Sequence, residues 1–212
     1  MKKIAFILTI LSFITVSMQA QDLKEIQLNQ PNKTRGTSVM QALSDRHSDR
    51  EYADKPLSLQ DLSDLLWAAN GINRPDGKRT APSALNRQDI DIYVINAEGA
   101  YLYVPQSNSL RPIAKGDYRK AVAGGQDFVQ TAPVSLVLVS DLSRFGDVSD
   151  RTRLMAAVDA GIVCQNINLF CAAAGLATVP RATMDQAALK KLLKLTDNQL
   201  PLMNNPVGYP KK

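Results

Sequence analysis

Apolar positions recur along this chain with two different periods, and the alternation between them outlines the fold. After Lys2 and Lys3, the stretch IAFILTILSFITV is apolar for 13 residues apart from its Ser and Thr positions. The polar segment 21–36, with Pro31 and Gly36, is expected to lie as an extended arm over the body. In SVMQALSDR, Val39, Met40 and Leu43 share one helical face, with Thr37 or Ser38 as the cap. SLQDLSDLLWAANG, entered after Pro56, predicts an amphipathic helix. Ser58 caps it, Leu59, Leu62, Leu65 and Leu66 form its buried stripe, and Gly71 ends it.

The polar run INRPDGKRTAPSALNRQ reads as a loop. DIDIYVIN alternates apolar and polar residues as a half-buried strand does, and AEG turns it into AYLYV, predicting a hairpin. A short helix is expected around Tyr118–Ala123, and PVSLVLVS predicts a central strand buried on both faces. Asp150 to Gly175 is the longest helix, with so little charge after Asp159 that it is expected to be buried all round. Asp185 to Leu195 predicts a further helix, and VGY before Pro210 a last short strand. This order indicates an α+β domain with a mainly antiparallel central sheet flanked by helices.

With 45% hydrophobic and 21% charged residues, the chain has the composition of a packed protein, which excludes disorder, collagen and coiled coil. A single histidine, His47, removes every zinc site that needs two imidazoles. The formal charge is +5, but two positives lie in the first three residues; the other 23 Lys and Arg against 20 Asp and Glu leave +3, too mild to argue for nucleic acid. The leading apolar run is shorter than the roughly 20 residues that span a bilayer. Ala20 closes it, so residues 1–20 are expected to be a signal peptide cleaved after Ala20. An uncleaved N-terminal anchor is the alternative, because Met18 stands where signal peptides carry a small residue. No later segment reads as long and apolar enough to cross a membrane, so the mature chain is expected to be exported and soluble, with the periplasm as its compartment. Cys164 and Cys171 lie seven helical residues apart. Their α-carbons are then about 10 Å apart, beyond the roughly 7 Å a disulfide bridges, and core packing is the better reading.

Three clusters could carry chemistry. Arg46-His47-Ser48-Asp49-Arg50 offers two guanidiniums, an imidazole and a hydroxyl, a grip for a phosphate. The alternative is a solvated turn whose arginines pair with Asp45, Asp49 and Glu51. Residues 79–88, RTAPSALNRQ, place hydroxyl, amide and guanidinium groups on a loop entering a strand, either a ligand loop or an ordinary connection. The third, TVPRAT at 178–183, alone reads only as a turn. No HExxH, GxSxG, GxGxxG or phosphate-loop signature is present, so an enzyme built from these residues would need a bound cofactor for its hard chemistry.

Taken in order, the clusters resemble the FMN-dependent nitroreductase family. DRHSDREY resembles the family's N-terminal signature, PSALNRQ its Pro-Ser loop, and GIVCQNINLFCAAAGLATVP its long helix ending in a flavin-facing turn. APVSLVLV and PVGYP resemble its central and last strands. PLSLQDLSDLLWAANGINR, with RTAPSA and YLYVP, looks most like the thiazoline/oxazoline dehydrogenase branch. The resemblance covers residues 37–211, and divides the chain into signal (1–20), arm (21–36) and an FMN-binding domain (37–212).

The resemblance implies an intertwined homodimer, FMN as cofactor, NADH or NADPH as a candidate donor, and a small-molecule acceptor such as a nitroaromatic or a quinone. It implies no nucleic-acid partner, and no membrane partner once the signal is removed. Arg46, His47, Ser48 and Arg50 match the residues that bind the FMN phosphate and ribityl chain. Pro82, Ser83, Ala84 and Asn86 match the loop that reaches the flavin of the other protomer. Gln165 lies in the helix beneath the cofactor, and Pro180, Arg181, Ala182 and Thr183 match the turn whose backbone N–H groups approach the flavin ring. Lys211 matches a late basic residue on the phosphate. A lid from residues 105–130 would shape the substrate pocket. A flavin carrier without efficient turnover, or a non-flavin module that holds an anion in its basic loop, are the other readings.

Overall fold

Residues 134–141 are apolar toward both faces, and the fold is built outward from them. The computed structural model describes residues 23–211; the expected signal peptide, residues 1–20, lies outside the described residues. In chain order the elements are β1 (Ile26–Gln27), α1 (Val39–Asp45), α2 (Leu59–Asn70), β2 (Ile90–Asn96), β3 (Gly99–Val104) and β4 (Ser109–Lys115). They continue as α3 (Arg119–Ala123), β5 (Val134–Asp141), α4 (Asp150–Ala174), β6 (Ala177–Thr178), α5 (Gln186–Leu192) and β7 (Gln199–Gly208). The described strands form one sheet in the order β1-β4-β3-β2-β5-β7-β6, antiparallel at every pairing.

Helices cover both faces. On one, Leu62, Leu65 and Leu66 of α2 and Val163, Ile167 and Cys171 of α4 pack on Ile92, Val94, Leu136 and Leu138 of the sheet. On the other, Val122 of α3 and Leu189 of α5 pack on Tyr93, Ile95, Val137 and Val139. Side-chain caps fix the helix starts: Ser38 accepts from the Gln41 N–H, Ser58 from Asp61, and Ser149 forms a capping box with Thr152. The arm is tied down by its own backbone, since β1 pairs with β4 and the Asn29 and Asn32 N–H groups donate to Ser63 and Asp64 of α2. Both cysteines are free and buried in the core.

Several elements differ from the sequence reading. β2 is buried toward both faces rather than half-buried, because helices lie above and below it. β4 was not visible in SLRPIAK; its Pro112 pairs with Tyr101 at a register shift, where a missing donor is tolerated. β7 runs ten residues rather than the expected short strand, and Pro201 and Pro206 within it hid its length. Helix α4 is not buried all round: it hides Ala160, Val163 and Ile167 but leaves Leu154 67% and Val158 54% exposed. On α1 it is Ala42 that is buried, whereas Val39, Met40 and Leu43 are 70%, 76% and 48% exposed. α4 is also long and apolar enough to cross a membrane, at 25 residues and mean hydropathy 1.4, contrary to expectation. Here it serves as a core helix packed on the sheet.

Gly124 ends α3 in the left-handed region at φ +54°, and a Cβ there would lie 2.8 Å from the Met184 Cα. Backbone cannot give way as a side-chain tip can. Gly124→Ala is therefore expected to cost about 2 kcal/mol and to lower the melting temperature by roughly 4–8 °C in a thermal scan.

Candidate functional site

Where α1 ends, the chain turns extended and crosses the C-terminal end of α4. The Asp49 N–H donates to the Thr178 carbonyl at 2.9 Å, fixing the crossing. A cavity of about 160 Å³ opens there between His47 and Asp49 on one side and Asn168, Thr178 and Pro210 on the other. His47 is held at both ring nitrogens, with Nδ1 2.7 Å from the Asp45 carbonyl and Nε2 3.0 Å from Asp49 Oδ1. That carbonyl, followed by the Asp49 charge, raises its pKa. Arg46 is half-buried, Ser48 and Arg50 are exposed, and among the described residues neither arginine has an ion pair. Lys211 follows Pro210, which bridges to Tyr52, and its N–H makes a long contact of 3.5 Å to the Glu51 carbonyl.

A buried polar network floors this corner. Asn205 of β7 donates to Asn168 Oδ1 (3.0 Å) and Thr178 Oγ1 (3.3 Å) and accepts from Cys164 Sγ (3.1 Å). Asn168 Nδ2 donates in turn to Gln165 Oε1 at 3.2 Å, linking Gln165 to the floor. Asn168, Thr178 and Asn205 were not singled out by sequence. The one available signal was Asn168 itself, an amide on the same stripe as Cys164 and Cys171 in an otherwise apolar helix.

The 180–183 turn follows directly from Thr178. Arg181 is buried, and its guanidinium points into the body rather than to the corner. It donates to the Ala123 carbonyl (2.7 Å), the Val122 carbonyl (3.2 Å), Asn204 Oδ1 (2.7 Å) and Gln126 Oε1 (2.9 Å). Burial lowers its pKa. The Arg181 N–H is also engaged, donating to the Asn204 carbonyl at 2.9 Å. Within this turn, the N–H groups of Ala182 and Thr183 are those with no partner among the described residues, and both residues are exposed. Asp49 is thus tied to Thr178, Lys211 to Glu51, and Gln165 to the Asn168–Asn205 network.

Pro82, Ser83, Ala84 and Asn86 do not join them. The Ala84 N–H donates to Asp159 Oδ2 at 2.8 Å, and Asp159 lies nine residues before Asn168 on α4, about 13 Å along the axis. The loop is tightly wound, with Leu85, Asn86 and Gln88 left-handed (φ 53°, 53° and 49°) and Leu85 76% exposed. At its base, Asp89 is buried beside Asp159 and accepts from Ser140 Oγ at 2.5 Å. Burial and then the Asp159 carboxylate push Asp89 up to about 7, against the Ser140 hydrogen bond.

An acid whose pKa rises on folding binds its proton more tightly when folded, so its stabilising contribution falls as pH rises from the unfolded value near 4 through about 7. Urea denaturation midpoints should therefore drop between pH 5 and pH 8, and Asp89→Asn should flatten that slope and be relatively more stable at pH 8.

The model of the nitroreductase family matches residues 43–209. A Methanocaldococcus jannaschii protein, provisionally named a nitroreductase, is 31% identical over 204 residues, 92% of this chain and 96% of that protein. The FMN reductase (NAD(P)H) of Bacillus subtilis is 26% identical over 187 residues, 81% of this chain and 66% of that protein. A Ralstonia eutropha crystal structure, also provisionally named a nitroreductase, superposes with a TM-score of 0.82 at 36% identity, covering 89% of this chain and 90% of that one. By class, then, the fold and its basic corner are those of an oxidoreductase. The chain belongs to the nitroreductase family.

Proposed function

We propose that this chain is an FMN-dependent oxidoreductase that works as a homodimer, passing two electrons from NADH or NADPH to a small organic acceptor such as a quinone or a nitroaromatic. The observation that supports this reading is the 46–50 segment: Arg46 and Arg50 have no ion pair among the described residues, and they alternate with Asp45, His47 and Asp49, which line the cavity over Asn168 and Thr178. The residues fit the cofactor. The FMN phosphate carries about −2, which Arg46, Arg50 and Lys211 can neutralise, and Ser48 adds a hydroxyl donor. His47, fixed between Asp45 and Asp49, lines the cavity and is held in place at both ring nitrogens. When bound, FMN supplies the two-electron hydride chemistry. The protein then has to hold, orient and polarise, with the Ala182 and Thr183 N–H groups as fixed dipoles toward developing negative charge.

The second copy is needed for the 82–86 loop, which sits too far along α4 to share the corner of its own chain. Val39, Met40 and Leu43 on α1 and Leu154 and Val158 on α4 are the apolar surface offered for that association. On the resemblance of residues 56–74 we assign the chain to the thiazoline/oxazoline dehydrogenase branch. The leader-like residues 1–20 support export to the periplasm.

Arg46→Ala with Arg50→Ala should weaken FMN binding by about 10- to 100-fold, from the loss of charge-assisted hydrogen bonds, read by quenching of flavin fluorescence. Colourless purified protein that fails to take up added FMN would remove the reading, while FMN uptake without NAD(P)H oxidation in the presence of a quinone would reduce it to a carrier. Leu154→Asp with Val158→Asp should shift light-scattering mass from dimer to monomer and lower FMN retention with it. A wild type that is already monomeric would overturn the shared site.

A further inference from the structure

A second basic site lies where residues 79–88 meet the ends of the central strands. It is a cleft of about 500 Å³ whose lining includes Arg79, Arg87, Arg111 and Arg144 against a single carboxylate, Asp91. Arg144 is committed within the protein, bonded to Asp91 Oδ2 (2.5 Å) and the Gln88 carbonyl (2.5 Å). Arg79 is half-buried and also held, donating to Gln88 Oε1 (3.0 Å) and the Asn70 carbonyl (3.1 Å); burial lowers its pKa, against the nearby Asp91 charge. Arg87 and Arg111 are exposed and make no ion pair among the described residues.

Two tyrosines complete the lining. Tyr93 and Tyr103 are 5% and 4% exposed, and their hydroxyls have no hydrogen-bond partner among the described residues. Burial pushes both up to about 12, so at neutral pH they are O–H donors. Arg87 and Arg111 have no counter-charge among the described residues, and an anion in the cleft would supply one.

We propose that this cleft binds the phosphate or pyrophosphate group of a small molecule. Arg111 and Tyr93 share one face of the sheet, and a phosphoryl group has acceptors enough for both together with Arg87, with arginine's planar fork suited to each pair. Within one chain the cleft shares no lining residue with the corner at 46–50.

Calorimetric titration of pyrophosphate into the protein loaded with excess FMN tests this. One saturable site per chain is expected, weakened by added sodium chloride. Arg87→Gln with Arg111→Gln should raise Kd at least tenfold with an unchanged melting temperature, since both side chains are exposed and unpaired. Arg50→Gln, in the other corner, should leave this Kd unchanged. Absence of saturable binding, equal affinity in the Arg87/Arg111 variant, or loss of binding in Arg50→Gln would each overturn the assignment. If the chain holds no FMN, the same titrations on the protein as purified give the same discrimination, because the Arg50→Gln arm separates the two sites.

Discussion

The buried amide of Asn205 ties together the parts that make the corner. It sits fully buried on β7, yet it reaches α4 through Asn168 and Cys164 and β6 through Thr178. A buried amide left unpaired is costly, so these three elements can hold only the mutual placement in which every one of these groups is satisfied. Thr178 donates onward to the Pro206 carbonyl at 2.9 Å, closing the network on β7 itself. The crossing of residues 46–50 then follows, because its backbone anchor is the carbonyl of the same Thr178. A basic segment that would otherwise be a mobile turn is thus held against a rigid floor.

Helix α4 distributes the remaining tasks along its length. Its inner stripe is core, its C-terminal third carries Gln165 and Asn168, and its middle holds the 82–86 loop through Asp159. Its N-terminal outer side is apolar and uncovered in the single chain. One straight element therefore sets the spacing between the corner, the loop and the surface offered to a second copy, and that spacing is fixed by helical rise alone.

Much of this was legible in the sequence, for identifiable reasons. α2 and the hairpin were readable because their periods are clean and their ends carry Ser58, Gly71 and the Ala97–Glu98 turn. β4 and the first part of β7 were not, because Pro112, Pro201 and Pro206 argue against strands and become acceptable only at a register shift or once tertiary pairing is known. The exposed side of α4 was misread as buried since apolar composition does not say which surface covers it. At the candidate site, motif order carries no information on side-chain direction. Arg181 shows the difference: its position adjoins the corner while its guanidinium turns away into the body. The basic cleft was invisible because its arginines, at 79, 87, 111 and 144, are scattered through the sequence and meet only in the folded sheet.

The grip of Arg181 on the Val122 and Ala123 carbonyls has a mechanical consequence. It welds the 180–183 turn to the end of α3, so neither can shift without carrying the other along or giving up hydrogen bonds to a buried guanidinium.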